Sequence, residues 1–205
     1  MLRGPSCATS TGWPLTINVS DTLAEKPTWG GTIMTASQLD ARVRQYSALH
    51  GYEFDLMQAL GEGTDGRVWF VDDNSVIKAF HRVHNYRTEL GCYQRLMEKG
   101  VAKIDGLSVP QLIEYSHELA IIEITLVQPP YLLDFGKAYL DEPAPYSPEQ
   151  LEEWRDDWAR YFPVEDLPRV RKVLAILKGY GIDYVDPKPW NIRFRKEEDD
   201  EEDEV

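Results

Sequence analysis

The chain has 205 residues, room for one compact domain with appendages, and 42% of them are apolar, enough to bury a core. Its net charge of −13 argues against a nucleic-acid or anionic-membrane partner, although eight consecutive acids from Glu197 to Glu204 supply most of it. No apolar run is long enough for a membrane span or a signal peptide, and two cysteines, Cys7 and Cys92, build no disulfide framework, so a reducing, cytoplasmic setting is expected.

Residues 1–34 are rich in Ser, Thr, Gly and Pro and show no periodicity, so an extended or disordered segment is expected. Thr35 and Gln38 then form a capping-box pattern, followed at helical spacing by Leu39, Val43, Tyr46 and Leu49, with Gly51 as the stop. Beyond Glu53 the texture becomes strand-like. Phe54, Leu56 and Leu60 lead into Gly61, Gly63 and Gly66, a second strand covers 68–71, Asp72-Asp73-Asn74 turns the chain, and a third strand covers 75–80.

A helix is predicted over 86–98, capped by Asn85, with Tyr86, Leu90, Tyr93 and Met97 on its inner face and Gly100 as terminator. Strands over 112–115 and 119–127 follow, joined at Ser116-His117-Glu118. The last third reads as helical. Ser147-Pro148-Glu149-Gln150 is a capped helix start, with Leu151, Trp154, Trp158 and Tyr161 as its buried stripe and Pro163 as its stop. A second helix from Leu167 buries Val170, Val173, Leu174 and Leu177 and ends at Gly179 and Gly181. The chain is therefore divided into an N-terminal segment (1–34), a strand-rich part with its preceding helix (35–127), a helical part (128–196) and an acidic, disordered tail (197–205).

Three groups of residues carry chemistry. Gly61-Glu62-Gly63-Thr64-Asp65-Gly66-Arg67-Val68 spells G-x-G-x-x-G-x-V between two strands, which suits a hairpin flap whose backbone amides approach phosphate oxygens. Lys78 lies between apolar neighbours on the next strand, where an ammonium needs an anion, and Glu89 on the following helix is the candidate counter-charge. Asp186-Pro187-Lys188-Pro189-Trp190-Asn191 concentrates a base, a cation and an amide carbonyl in a loop stiffened by two prolines.

In this order the features resemble the protein-kinase-like superfamily, in a short bacterial-type form lacking a D-F-G segment after the catalytic loop and most of the C-terminal lobe. The resemblance covers 54–194. It implies an α+β fold in which a five-stranded antiparallel N-lobe sheet with one helix sits on a truncated, mostly helical C-lobe. It further implies ATP and Mg²⁺ as cofactors. Gly61, Gly63, Gly66 and Val68 would cover the nucleotide, Lys78 would hold the phosphates and pair with Glu89, and the backbone at Glu123 would meet the adenine. Asp186 would accept the acceptor's proton, Lys188 would steady the γ-phosphate and Asn191 would bind the metal.

Departures accompany the resemblance. Tyr184 stands where the family has His, and Val185 where it has the Arg that reads a phosphorylated loop. Asp134-Phe135-Gly136 spells the metal-binding triplet but precedes Asp186 by about fifty residues, in the wrong order for the family, and is read as a chance match. The tail carboxylates Asp199, Asp200 and Asp203 are alternative metal ligands, with a solvated polyanion preferred. His81 and His84 lack a third ligand, Cys92 and the Trp154/Trp158 pair read as core, and Thr64 and Ser75 have no local base for nucleophilic catalysis. The expected activity is phosphoryl transfer to a protein Ser/Thr or a small-molecule hydroxyl. The alternative is a pseudokinase, a nucleotide-binding scaffold without turnover.

Overall fold

The computed structural model describes residues 33–57 and 59–195. The expected extended segment before residue 33 and the acidic tail lie outside them, as do Trp13, Trp29 and Cys7. Met34 is tied down: its amide donates to His81 O at 3.0 Å, and its side chain is buried.

Helix α1 (Ala36–His50) starts at the expected capping box, with Thr35 and Gln38 exchanging side-chain and backbone hydrogen bonds, and stops at Gly51 in the left-handed conformation at φ 76°. The predicted strand after Glu53 begins as a single 3-10 turn, Phe54–Leu56. Strands β1 (Ala59–Glu62), β2 (Gly66–Phe70) and β3 (Ser75–Phe80) follow as a meander. Asp72 Oδ1 accepts from the amides of Asn74 and Ser75, both at 2.8 Å, which makes the β2–β3 turn an Asx turn.

Helix α2 (Val83–Glu98) starts three residues earlier than expected. Asn85 is therefore inside it rather than at its cap, and its amide reaches Asp65 Oδ1 at 2.5 Å. Leu96, not Met97, completes the buried face. A small pair, β4 (Lys103–Ile104) and β5 (Leu107–Ser108), precedes β6 (Leu112–Ser116) and β7 (Ile121–Thr125). The main sheet is five-stranded and antiparallel, in the order β1-β2-β3-β7-β6, as the resemblance implies.

That sheet is sandwiched. On one face α1 lays Leu39, Val43 and Tyr46 against Trp69, Ile77, Ala79 and Ile121. On the other face Val76, Phe80, Ile122 and Ile124 share a core with Tyr86, Leu90, Tyr93 and Leu96 of α2. Alternation along β3 therefore sends Ile77 to α1 and Lys78 to α2.

The remainder combines helices with short ladders. After β8 (Tyr131–Leu132) and β9 (Ala138–Leu140) comes α3 (Pro148–Ala159), which opens on the predicted capping box at Ser147 and Gln150. Of its expected stripe only Trp158 is fully buried, and Tyr161 is exposed. Helix α4 (Leu167–Gly179) buries Val170, Val173 and Leu177, and β10 (Ile182–Tyr184) and β11 (Ile192–Arg193) end the fold. Strand β10 pairs with β9, and β11 joins the order β11-β8-β5-β4. Among the described residues no helix is long and apolar enough to cross a membrane.

Candidate active site

Two antiparallel ladders place the chemistry. In one, Ile192 lies opposite Leu132 and Arg193 opposite Tyr131, and the Leu133 amide donates to Asn191 O at 2.7 Å. In the other, Ile182, Asp183 and Tyr184 lie opposite Leu140, Tyr139 and Ala138. The loop 133–137 is thus stretched antiparallel to the loop 185–191, clamped at both ends. This brings Asp134-Phe135-Gly136 against Asp186-Pro187-Lys188-Pro189-Trp190-Asn191, although the two motifs are about fifty residues apart and in reverse order.

The result is a cleft of about 560 Å³ between the main sheet and these loops, within the size range of small-molecule sites. It is lined by Gly61, Gly63, Gly66, Val68, Lys78 and Glu89 from the sheet side, and by Asp134, Lys137, Asp186, Lys188, Trp190 and Asn191 from the other. Every sequence-predicted site residue except Glu123 therefore meets in one place.

Lys78 is the centre of the inner wall. Its Nζ donates to Glu89 Oε2 at 2.7 Å and to Asp134 Oδ1 at 2.8 Å, and it is 7% exposed. Burial acts to lower its pKa, but Glu89 and Asp134 together outweigh that and hold the ammonium charged. One lysine cannot neutralise two carboxylates, and they divide unequally. Burial pushes Glu89 up to about 8 against the pull of Lys78. Asp134 is also raised by burial, but the Lys78 charge and hydrogen bond and the Gly136 amide hold it below the usual range. Of the two carboxylates, Asp134 is thus the one the wall holds toward its charged form, while burial biases Glu89 toward its neutral one. Glu89 Oε1, which is buried without a partner, costs less on a neutral acid than on a carboxylate.

Asp134 is the residue that the sequence reading set aside, on the ground of its position in the chain. It takes a left-handed backbone, φ 60°, a costly conformation that aspartate tolerates better than most residues. Phe135 fixes the segment: it is fully buried, with its ring 5.2 Å from that of Tyr93 and 5.8 Å from that of Tyr184. Tyr184 donates its hydroxyl to Leu133 O at 3.2 Å and so ties the two loops together. A Cβ on Gly136 would stand 3.1–3.3 Å from oxygens of Glu89, Asp65 and Asp134, so a side chain here would require those carboxylates to shift by a few tenths of an ångström. The signal available in the sequence was the pair of short apolar strands on either side of each motif, which permits pairing in either chain order.

On the outer wall Asp186 is the hub. Lys188 Nζ lies 3.0 Å from its Oδ1 and Lys137 Nζ 3.4 Å from its Oδ2. Asn191 Nδ2 donates to Asp186 O at 3.0 Å, which leaves the amide oxygen of this 4%-exposed residue as its acceptor group. Trp190 projects from the same loop, 59% exposed, with Lys188 Nζ 5.3 Å from its ring centre.

The glycines separate into two kinds. A Cβ on Gly66 would sit 2.1 Å from Ala79 O, so this glycine is demanded by the close approach of β2 to β3. Cβ atoms on Gly61 and Gly63 would meet nothing within 4 Å, so these two leave the hairpin's backbone open at the cleft.

Glu123 is turned away. It lies opposite Ile77 in one ladder and Glu114 in the other, facing α1, and its carboxylate accepts from the hydroxyls of Tyr46, Tyr52 and Ser75 at 3.0–3.2 Å. Strand alternation turns its side chain from the cleft, whose edge is lined by Ile124, Thr125, Leu126 and Val127. His81 Nδ1 lies 2.7 Å from the Met34 carbonyl oxygen. Among the described residues no cluster of three His, Cys, Asp or Glu side chains is placed to hold a metal alone.

No protein-family model matches the chain, and no curated protein matches its sequence. Among solved structures it is similar to the streptomycin–ATP–APH(2'')-IIa ternary complex, at 13% identity over 63% of this chain and 38% of that one, with a TM-score of 0.33. It is similar also to the ADP-bound aminoglycoside phosphotransferase APH(2'')-Ib, at 14% identity over 59% and 36% of the two chains and a TM-score of 0.34. A gentamicin–APH(2'')-IIa complex matches at 15% identity over 58% and 36%, with a TM-score of 0.32. The chain thus spans well under half the length of each of these structures.

Proposed function

We propose that the chain is an ATP-dependent phosphotransferase that moves a γ-phosphate to a hydroxyl acceptor. The observation that supports it is the convergence, across one cleft, of Lys78 with Glu89 and Asp134 on the inner wall and of Asp186, Lys188 and Asn191 on the outer one. Phosphoryl transfer needs little covalent chemistry from a protein; it needs positioning and charge, and these residues supply both.

In this reading the β1–β2 hairpin, with Gly61 and Gly63, covers the phosphates, and Lys78 contacts them from below. The cleft edge at 124–127 receives the base. Asp186 accepts the proton of the acceptor hydroxyl, whose oxygen forms a bond to the γ-phosphorus as the bond to the β-bridging oxygen breaks and ADP leaves. Lys188 stabilises charge on the transferring group.

The donor set suits magnesium. Asp134 offers a carboxylate that lines the cleft with a third of its side chain exposed, and Asn191 offers an amide oxygen, both hard ligands. Two such ligands do not make a cage, and magnesium sites of this kind are completed by substrate phosphates and water. When bound, the ion neutralises the phosphate charge. The acceptor is a small molecule or a protein hydroxyl.

Calorimetric titration with ATP, with and without Mg²⁺, on the parent and on Asp134→Asn tests this reading. The parent is expected to bind more tightly with the metal, and Asp134→Asn to lose that metal dependence while keeping metal-free binding. Absence of ATP binding by the folded parent overturns the reading. Binding indifferent to Mg²⁺ replaces it with that of a nucleotide-binding scaffold.

A further inference from the structure

Lys137 has no part in the roles assigned so far. The β9–β10 ladder carries it across from Asp186, where its Nζ lies 3.4 Å from Oδ2 while Lys188 Nζ lies 3.0 Å from Oδ1. Both lysines line the cleft, and Asp186 is the carboxylate they share. The two walls therefore differ in their balance of charge, and the surplus ammonium is on the outer one. On the inner wall one lysine meets two carboxylates, and on the outer wall two lysines meet one.

A surplus ammonium inside a cleft attracts an anion, because the low-dielectric walls keep water from screening it as they would on an open surface. The Asp186 side chain, at 14% exposure, lies well within those walls, whereas Lys137 at 41% and Lys188 at 31% retain the freedom to exchange partners. The two ammonium groups approach Asp186 through different oxygens, Lys137 through Oδ2 and Lys188 through Oδ1, and a tetrahedral oxyanion likewise offers separate oxygens to two donors.

We propose that Lys137 and Lys188 form a two-sided clamp for the terminal phosphate of a nucleoside triphosphate, with Lys137 as the residue that distinguishes triphosphate from diphosphate. This rests on the phosphotransferase reading and deepens it. In the ligand-free protein the two ammonium groups occupy the oxygens of Asp186. When a γ-phosphate enters, its oxygens draw the ammonium groups over, and Asp186 is released to accept a hydrogen bond from the acceptor hydroxyl. The clamp thus couples arrival of the triphosphate to exposure of the base.

The test needs no knowledge of the acceptor. ATP and ADP, each with Mg²⁺, are titrated by calorimetry into the parent, Lys137→Gln and Lys137→Arg, with melting curves to verify that the variants fold. Lys137→Gln is expected to lose about ten- to hundredfold in ATP affinity, the range of a charge-assisted hydrogen bond, while ADP affinity stays within about twofold. Lys137→Arg is expected to retain the parent's preference for ATP over ADP. Equal losses for the two nucleotides, or no loss for either, overturn the clamp while leaving the phosphotransferase reading intact. A parent that binds neither nucleotide overturns that reading itself and the clamp with it.

Discussion

Glu89 and Glu123 are both nearly inaccessible, at 1% and 3% exposure, on opposite faces of the same sheet. On the α2 face Glu89 meets Lys78 and a second carboxylate, within a cleft. On the α1 face Glu123 meets three hydroxyls, from Tyr46, Tyr52 and Ser75, and among the described residues it makes no ion pair. Hydroxyl donors give a fixed, closed interface in which every partner is already used. An ion pair at the wall of a cleft can exchange one partner for an incoming ligand. The same residue type is thus committed to docking a helix on one face and kept exchangeable on the other, and the difference lies in what the sheet's alternation places around it.

The most severe way to break this contrast is to remove Asp186 from the exchangeable side. Asp186→Asn is expected to lower turnover by about 10²–10⁴-fold with ATP binding retained, measured as phosphate transfer or ATP consumption. Equal consumption by variant and parent removes the base from this position.

Lys78→Met comes next. It leaves Asp134 without its cation at the buried wall and is expected to cost about 3 kcal/mol in urea unfolding, together with most of the ATP affinity. Glu123→Ala sharpens the contrast by touching the other face alone. It strands the hydroxyls of Tyr46, Tyr52 and Ser75, costs about 2 kcal/mol and leaves nucleotide affinity as in the parent. Loss of ATP binding there would show that the two faces are coupled.

The glycines divide in the same way. Gly66→Ala forces a Cβ onto the Ala79 carbonyl and is expected to destabilise the fold by about 2–3 kcal/mol, while Gly61→Ala and Gly63→Ala leave stability within about 0.5 kcal/mol. A ligand effect of the last two, without a stability effect, would confirm the hairpin as a cover.

The last expected effect is a pH slope. Because burial raises Glu89 from 4.5 to about 8, the folded protein holds a proton there that the unfolded chain has already released. The stability this residue contributes is complete below about 4.5 and is lost as pH rises through about 8. Glu89→Gln should flatten the fall in stability over that window. An unchanged slope would mean that Glu89 is ionised when folded.

Much of the site was legible before any fold was known. The glycine hairpin, Lys78, Glu89, Asp186, Lys188 and Asn191 were found from residue type and local spacing, and the structure gathers all of them. Asp134 was passed over because chain order was used as a guide to position. Order constrains which loops are short but not which short strands pair, and two ladders of two and three residue pairs suffice to lay residues 133–137 beside 185–191. Lys137 was missed with it. Helical spacing alone puts Met97 and Tyr161 on inner faces, yet both stay about half exposed, Met97 in the last turn of α2 and Tyr161 beyond the end of α3.

What the sequence determined by itself is what hydrogen bonds across three or four residues can enforce. Thr35 with Gln38 and Ser147 with Gln150 start their helices, Asp72 turns β2 into β3, and Gly51 in its left-handed conformation ends α1. Those interactions lose little chain entropy and need no partner from elsewhere. Only the tertiary structure decided which carboxylates Lys78 meets, which way Glu123 faces and that Gly66 must carry no side chain. Each of these depends on a contact between elements that are distant in sequence, and that contact exists only once the sheet has fixed its register and the helices have covered its two faces.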